Sequence, residues 1–236
     1  MTFAFHKGRF GVKLAQSPDE IRQCQSLRHQ CFFAGSGLDE EEIDQHCMHI
    51  MVAGPKGLVG TCRILPLQSD FNLSYAAQRY DIEAIRGSGP FLELGRFCIL
   101  SKVLDSDVLR LMWGALAKIV DDRGVKVLFG CASFQGIDTS PYAAALGLLS
   151  QRFQAPNDLK IGRKSPNAIA LSDFEGSEGN AVTQMPTLLR TYLSMGGWVS
   201  DHAVVDHDLG TFHVFCALEI DKIPFARARA LRAIAS

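Results

Sequence analysis

Apolar positions along the chain switch between a period of two and a period near 3.6, and the order of those switches outlines a fold. A short strand is expected over residues 11–16. Ser17-Pro18-Asp19-Glu20 then supplies an N-cap, a proline at the first helical position and a glutamate at the third, so a helix is expected to open there and run to about Phe32. An acidic stretch, LDEEEIDQHC, follows it. Alternating segments from His49 to Ala53 and from Leu58 to Leu65 flank Gly54-Pro55-Lys56-Gly57, which reads as the turn of a hairpin. Between Gln68 and Gly89 the pattern is irregular, with a short helix near Ala76. A strand over residues 91–100 comes next, then a helix from Asp105 to Arg123 with Val108, Met112, Ala115, Leu116, Ile119 and Val120 on one face and Gly124 placed to end it. A strand from Val125 to Ser133, a helix near Met185–Met195 and strands over Trp198–Val205 and Thr211–Ile220 complete the pattern. The whole predicts an α/β protein with a mixed, largely antiparallel sheet and helices packed on its faces.

One strand breaks its own rule. FLELGRFCIL, residues 91–100, is apolar except for Glu93 and Arg96, and charges inside such a run are paired or functional. A structural ion pair between the two is one reading; an active site carried on the strand is the other.

Composition narrows the classes. The chain has 236 residues, 47% of them hydrophobic, enough for a sizeable core, and the absence of a linker, a repeat or a low-complexity segment predicts a single domain over residues 1–236. A formal net charge of −1 argues against nucleic acid as a partner, which needs a basic stripe. No apolar run has the length of a membrane span, and MTFAFHKGRF lacks a signal-peptide layout. Seven cysteines without a CxxC pair fit reduced thiols, so a cytoplasmic location is expected. His46, Cys47 and His49 lack the spacing of a zinc site, and no metal is expected. Cys98, two residues after Arg96 in an apolar run, is read as a small buried hydrophobe.

LELGRFCIL resembles the E-x-x-R strand signature of the acyl-homoserine-lactone (autoinducer) synthases, and more closely the E-x-GR-x-C form of the bacterial ornithine lipid synthases. Further pieces agree in order: LRHQCF at 27–32, GLDEEEIDQHCMHI at 37–50, GTCRILP at 60–66 and FGCAS at 129–133. The resemblance covers roughly residues 27–216 and lies in the ordered set. It implies a GNAT-like fold and an N-acyltransferase that moves a 3-hydroxyacyl group from acyl carrier protein to the α-amine of ornithine, giving lyso-ornithine lipid. Glutamine or another amino acid as acceptor, lactone synthesis, and a non-catalytic acyl-binding module are the alternatives. The tryptophan that autoinducer synthases carry after the LR-x-x-x-F helix is missing from Phe33-Ala34-Gly35-Ser36-Gly37, which lowers the weight of lactone synthesis.

Within that resemblance Glu93 is the expected base for the attacking amine. Its neighbours Phe91, Leu92 and Leu94 would desolvate it and make it a better proton acceptor. Arg96, Arg63 and Arg28 each offer a fork that matches a substrate carboxylate, and the residues do not rank them. The resemblance associates Asp39 and Asp44 with the ornithine ammonium, and the spacing of Glu41 and Asp44 matches the acidic pair of the autoinducer synthases, while a solvated acidic face is the bland reading of the same stretch. Coenzyme A users of this fold cradle the pyrophosphate on a basic, glycine-rich loop before the next helix; here that junction reads Ser101-Lys102-Val103-Leu104-Asp105-Ser106-Asp107. No bound cofactor is expected, and a phosphopantetheine thioester on the carrier is the expected donor. Two basic clusters, Arg152, Lys160, Arg163 and Lys164, and then Arg227, Arg229 and Arg232, suit an acidic carrier or the inner membrane surface, with which transient contact is expected.

Overall fold

The computed structural model describes residues 2–33, 35–103, 105–176 and 178–235. In chain order its strands and helices are β1 (Ala4–Lys7), β2 (Phe10–Leu14), α1 (Pro18–Phe32), β3 (Met48–Gly54), β4 (Gly57–Leu67), α2 (Tyr75–Arg79), β5 (Tyr80–Asp81), β6 (Phe91–Ile99), α3 (Ser106–Arg123), β7 (Val127–Gln135), α4 (Ala143–Arg152), β8 (Gly162–Arg163), β9 (Ala168–Ala170), α5 (Glu178–Gln184), α6 (Thr187–Ser194), β10 (Trp198–Asp206), β11 (Thr211–Glu219) and α7 (Phe225–Arg232). They fall into two compact units, each assembled from separated stretches of chain.

The first unit comprises Met1–Pro66, Leu92–Val125 and Phe225–Ser236. Its strands lie in the order β1-β2-β3-β4-β6, with β1 to β4 antiparallel to their neighbours. The β3–β4 turn is the expected one, and Gly57 takes the φ of 114° that a side chain resists. Register places His49 opposite Arg63 and Met51 opposite Thr61 on one face, and Ile50 opposite Cys62 on the other. Helix α1 starts as its sequence demands: the Ser17 hydroxyl accepts from the Glu20 amide at 3.3 Å, with Pro18 at the first helical position. Helix α3 is capped by Asp105 and ends at Gly124 in the left-handed conformation, φ 61°. It buries Val108, Leu111, Met112, Ala115, Leu116 and Ile119. Gly60 of β4 makes this packing possible, because a Cβ there would stand 3.2 Å from Val108 and 3.3 Å from the Met112 sulfur. Each such buried aliphatic side chain stabilises the fold by about 1.5–3 kcal/mol.

The second unit, Leu67–Phe91 and Lys126–Pro224, holds the antiparallel order β7-β11-β10-β9. Phe134 faces Phe212 across the strands with ring centroids 4.8 Å apart, and Phe71, Phe91, Phe129 and Phe215 make a second aromatic cluster, so Phe129 and Phe134 belong to the core. Helix α4 escapes a reading by period, since Ala144 through Leu149 are all buried. Gly147 in that helix meets the backbone of Gly176, where a Cβ would come within 2.3 Å of the amide nitrogen.

His213 on β11 is held by two tyrosines. Tyr80 Oη lies 3.0 Å from Nδ1 and Tyr75 Oη 3.3 Å from Nε2, while Tyr75 also donates to Asp206. Burial outweighs the nearby Asp206 and pushes the imidazole down to about 4. Burial lowers His49 and His202 as well. The unfolded chain takes up protons near pH 6.5 that the folded chain refuses, so these groups favour folding above that pH and cease to do so as pH falls towards 4. We expect the melting temperature to drop steadily between pH 6.5 and 4.5. His213→Gln should flatten that slope, removing a dependence worth roughly 3 kcal/mol across the window; thermal melts at stepped pH check this.

Candidate active site

Glu93 and Arg96 both lie on β6, and in a regular strand residues three apart point to opposite faces. Arg96 breaks the alternation. Its φ of 51° is left-handed, a conformation uncommon outside glycine. From there its guanidinium donates through Nε to Asp39 Oδ2 and through Nη2 to Glu41 Oε1, both at 2.9 Å. It also lies 5.9 Å from the centre of the Phe32 ring. The preceding Gly95 adjoins the same cluster, since a Cβ there would lie 3.7 Å from Arg63 Nε.

The two carboxylates that Arg96 reaches are shared, and following the bonds closes a ring. Arg28 Nε donates to Asp39 Oδ2 at 2.8 Å, Arg96 bridges Asp39 and Glu41, Arg63 Nη1 donates to Glu41 and, at 3.0 Å, to Asp44 Oδ1, and Arg28 Nη2 returns to Asp44 Oδ2 at 2.9 Å. Three arginines alternate with three carboxylates, and every member bridges two of the opposite sign. The members come from α1 (Arg28), the acidic segment (Asp39, Glu41, Asp44), β4 (Arg63) and β6 (Arg96). The acidic segment is shaped for the task by a 3-10 turn over Glu42–His46, in which Glu41 and Asp44 form a capping box. Gln25 of α1 adds a hydrogen bond to Asp44 at 2.9 Å and accepts from the Asp39 amide on its backbone at 3.1 Å.

Burial is uneven around the ring. The Arg28, Arg63, Asp39 and Asp44 side chains are enclosed, Arg96 is 9% exposed, and Glu41 is 36% exposed. Burial works to raise the Asp44 pKa, yet hydrogen bonds from Arg28, Gln25 and Arg63 overcome it and hold the carboxyl below the usual range. Burial likewise opposes charge on Arg28 and Arg63, and their carboxylate partners raise both nonetheless. Glu93, 5% exposed, stands on the same strand as Arg96, and its charge, with those of Arg63 and Asp44, acts on Cys47. Burial pushes the Cys47 thiol up to about 12. A hydrogen bond with Cys31, together with burial, keeps Cys98 protonated, which disfavours it as a nucleophile.

The expected site residues therefore separate by environment. Arg28, Asp39, Arg63, Asp44 and Arg96 gather in one ring, and Glu93 lies on the strand that closes it. Arg96 pairs with Asp39 and Glu41 rather than with Glu93. The Glu41–Asp44 spacing, which resembles the acidic pair of the autoinducer synthases, is also that of a capping box. At the junction before α3, where Leu104 lies outside the described residues, Asp105 Oδ1 accepts from the Asp107 amide at 3.0 Å, and Arg9, Lys7 and Arg110 neutralise the two acids. Elsewhere Lys160 pairs with Asp201, Lys164 donates to the Ala77 carbonyl, and Arg232 binds Asp121.

Removing one enclosed member strands a partner charge away from water. Asp44→Asn should lower the unfolding free energy by about 3–5 kcal/mol. Glu41→Gln, at the open side, should cost about 1 kcal/mol or less. Urea unfolding of both variants checks the contrast.

An acetyltransferase (GNAT) domain model matches residues 25–114, a span that contains the entire ring, Glu93 and the start of α3. The L-ornithine N(alpha)-acyltransferase of Brucella abortus is 31% identical over 92% of this chain and 87% of its own length. That of Rhodobacter capsulatus is 28% identical over 89% of this chain and 90% of its own. Among solved structures, the crystal structure of TofI in a ternary complex with an inhibitor and MTA covers 94% of this chain and 98% of that one at 15% identity, with a TM-score of 0.49. With a relative above 30% identity aligned along nearly the whole chain, the protein is an acyltransferase and belongs to the family of the L-ornithine N(alpha)-acyltransferases.

Proposed function

We propose that the whole chain acts as one catalytic domain that transfers a 3-hydroxyacyl group from acyl carrier protein to the α-amine of ornithine. The observation that carries the assignment of roles is the buried Glu93 on the strand whose left-handed Arg96 closes the charge ring. The ornithine ammonium must lose a proton to attack the thioester carbonyl. Glu93 accepts that proton, the nitrogen–carbon bond forms, the carbon–sulfur bond breaks, and the pantetheine leaves as a thiol after taking up a proton. The balance is one amide, one thiol and one proton released to solvent. The ring holds β6 against α1 and β4 so that Glu93 is presented in a fixed place, which is the source of much of the gain in an acyl transfer between two bound substrates.

Acceptor recognition falls to the open side of the ring. Asp39 and Asp44 act through it by holding the arginines, and Glu41, a third exposed, is the carboxylate able to meet the δ-ammonium without opening a buried pair. Arg96, more accessible than Arg28 or Arg63, is the fork assigned to the substrate carboxylate.

The donor reading rests on α3. A pyrophosphate needs free amides at a helix N-terminus, whereas here the Asp105 cap occupies the Asp107 amide and the Asp107 carboxylate stands in the first turn. A carrier-bound thioester brings only a neutral pantetheine arm and an acyl chain into the enzyme.

Glu93→Gln should preserve the circular dichroism spectrum and reduce kcat by about 10²–10⁴; full activity in the folded variant removes Glu93 from proton transfer. With donor varied, kcat/KM should be much higher for 3-hydroxyacyl carrier protein than for the matching acyl-CoA, and equal values contradict the donor assignment. Glu41→Gln should raise the KM for ornithine roughly tenfold while leaving kcat nearly fixed. Mass-spectrometric assays with glutamine in parallel distinguish the acceptors, because glutamine carries no side-chain cation for Glu41 to meet.

A further inference from the structure

Helix α7 rests on α3 through one narrow face: Ala228 and Leu231 are half-buried, and Ile234 just beyond it sits over Gly114, where a Cβ would come within 2.6 Å of its Cγ2. Arg232 anchors the end of α7 with two hydrogen bonds of 2.7 Å to Asp121 of α3. The exposed side of the helix next to this contact has a different character. Phe225 is 79% exposed, more than any other large hydrophobic residue of the described chain, and Arg229 follows it four residues later on the same side. Ala226 and Ala230 are exposed beside this pair, and Arg227 is exposed on the other side of the helix. Arg227 and Arg229 form no ion pair among the described residues, and no acidic residue occurs after Asp221. By contrast, Lys160 and Lys164 of the other basic cluster are occupied by Asp201 and the Ala77 carbonyl. No described helix is long and apolar enough to cross a membrane, so any lipid contact has to be made at the surface.

We infer that α7 docks the enzyme on an anionic membrane surface, with Phe225 entering the headgroup boundary, Arg229 meeting lipid phosphates and Arg227, on the other side of the helix, adding longer-range attraction. An aromatic side chain held out in water beside free guanidinium groups is the composition of an interfacial helix: the ring gains by leaving water, and each arginine adds attraction to a negative leaflet. The exposed Ala226 and Ala230 beside them let the helix lie close to the surface. A carrier protein would also attract the arginines, but charge attraction alone leaves a phenylalanine that is 79% exposed without a use. The proposal extends the lipid-forming activity argued above to the place where its product is delivered, and vesicle binding in the absence of substrates tests it apart from that activity.

The experiment is co-sedimentation of the full chain with phosphatidylcholine vesicles, with and without about one quarter phosphatidylglycerol. Binding is expected to the anionic vesicles alone and to weaken as salt is raised. Arg227→Glu with Arg229→Glu should reduce the partition coefficient roughly twentyfold or more, and Phe225→Ser should reduce it about fivefold. Both variants should melt as the parent does and keep its kcat with soluble donor and acceptor. Absence of parent binding to anionic vesicles overturns the inference, as does equal binding by parent and variants. If the variants instead lose affinity for acyl carrier protein in a titration while binding vesicles as before, α7 is a carrier-docking helix and the membrane assignment is wrong.

Discussion

The first unit depends on a closed ring of six charges. Arg28, Asp39, Arg96, Glu41, Arg63 and Asp44 come from a helix, an irregular segment and two strands, and each bridges two partners of opposite sign. Taking an ion from water into the interior costs several kcal/mol, so the ring is tolerable only because it is closed and neutral. A hydrophobic cluster tolerates slippage among its members, whereas a fork matched to two carboxylates accepts one arrangement of α1, β4 and β6.

The ring also explains the backbone of Arg96. A left-handed arginine costs of order 1–3 kcal/mol and persists only where its surroundings over-determine it. Two hydrogen bonds to carboxylates, each already committed to a second arginine, supply that constraint. The turn brings Arg96 to carboxylates that the strand's alternation would otherwise deny it, on the strand that carries the buried Glu93. Strain, ring and candidate base thus form one device on β6.

Burial divides the acidic segment into different tasks. Asp39 and Asp44 are enclosed and spend their oxygens on arginine, serine-like capping of the turn being shared between Asp44 and Glu41. Glu41 alone keeps substantial access to solvent while remaining in the ring. Because Glu41 bridges Arg63 and Arg96, any charge brought to the open side of the ring acts on β4 and β6 together. At the start of α3 the Asp105 cap occupies the Asp107 amide that a phosphate-binding helix would present bare, while Lys7, Arg9 and Arg110 balance the two acids.

The order of elements, the capping of α1, the β3–β4 turn, the strand over 91–99 and the helix ended by Gly124 were legible in the residues, because caps, turns and hydrophobic period act over a few positions. The presence of charge on an otherwise apolar strand was legible too, as were the motifs that carry the family resemblance. Helix α4 was not, since a helix buried on every side has no polar face to mark its period. Strand β1 was too short to stand out before it paired with β2. Nor did the residues show that Arg96 reverses its face or that its partners lie 55 and 57 positions away. Local sequence determines where a helix begins and which positions are apolar; the partner of a buried charge is decided by which distant segments are folded against it, and only the tertiary structure contains that information.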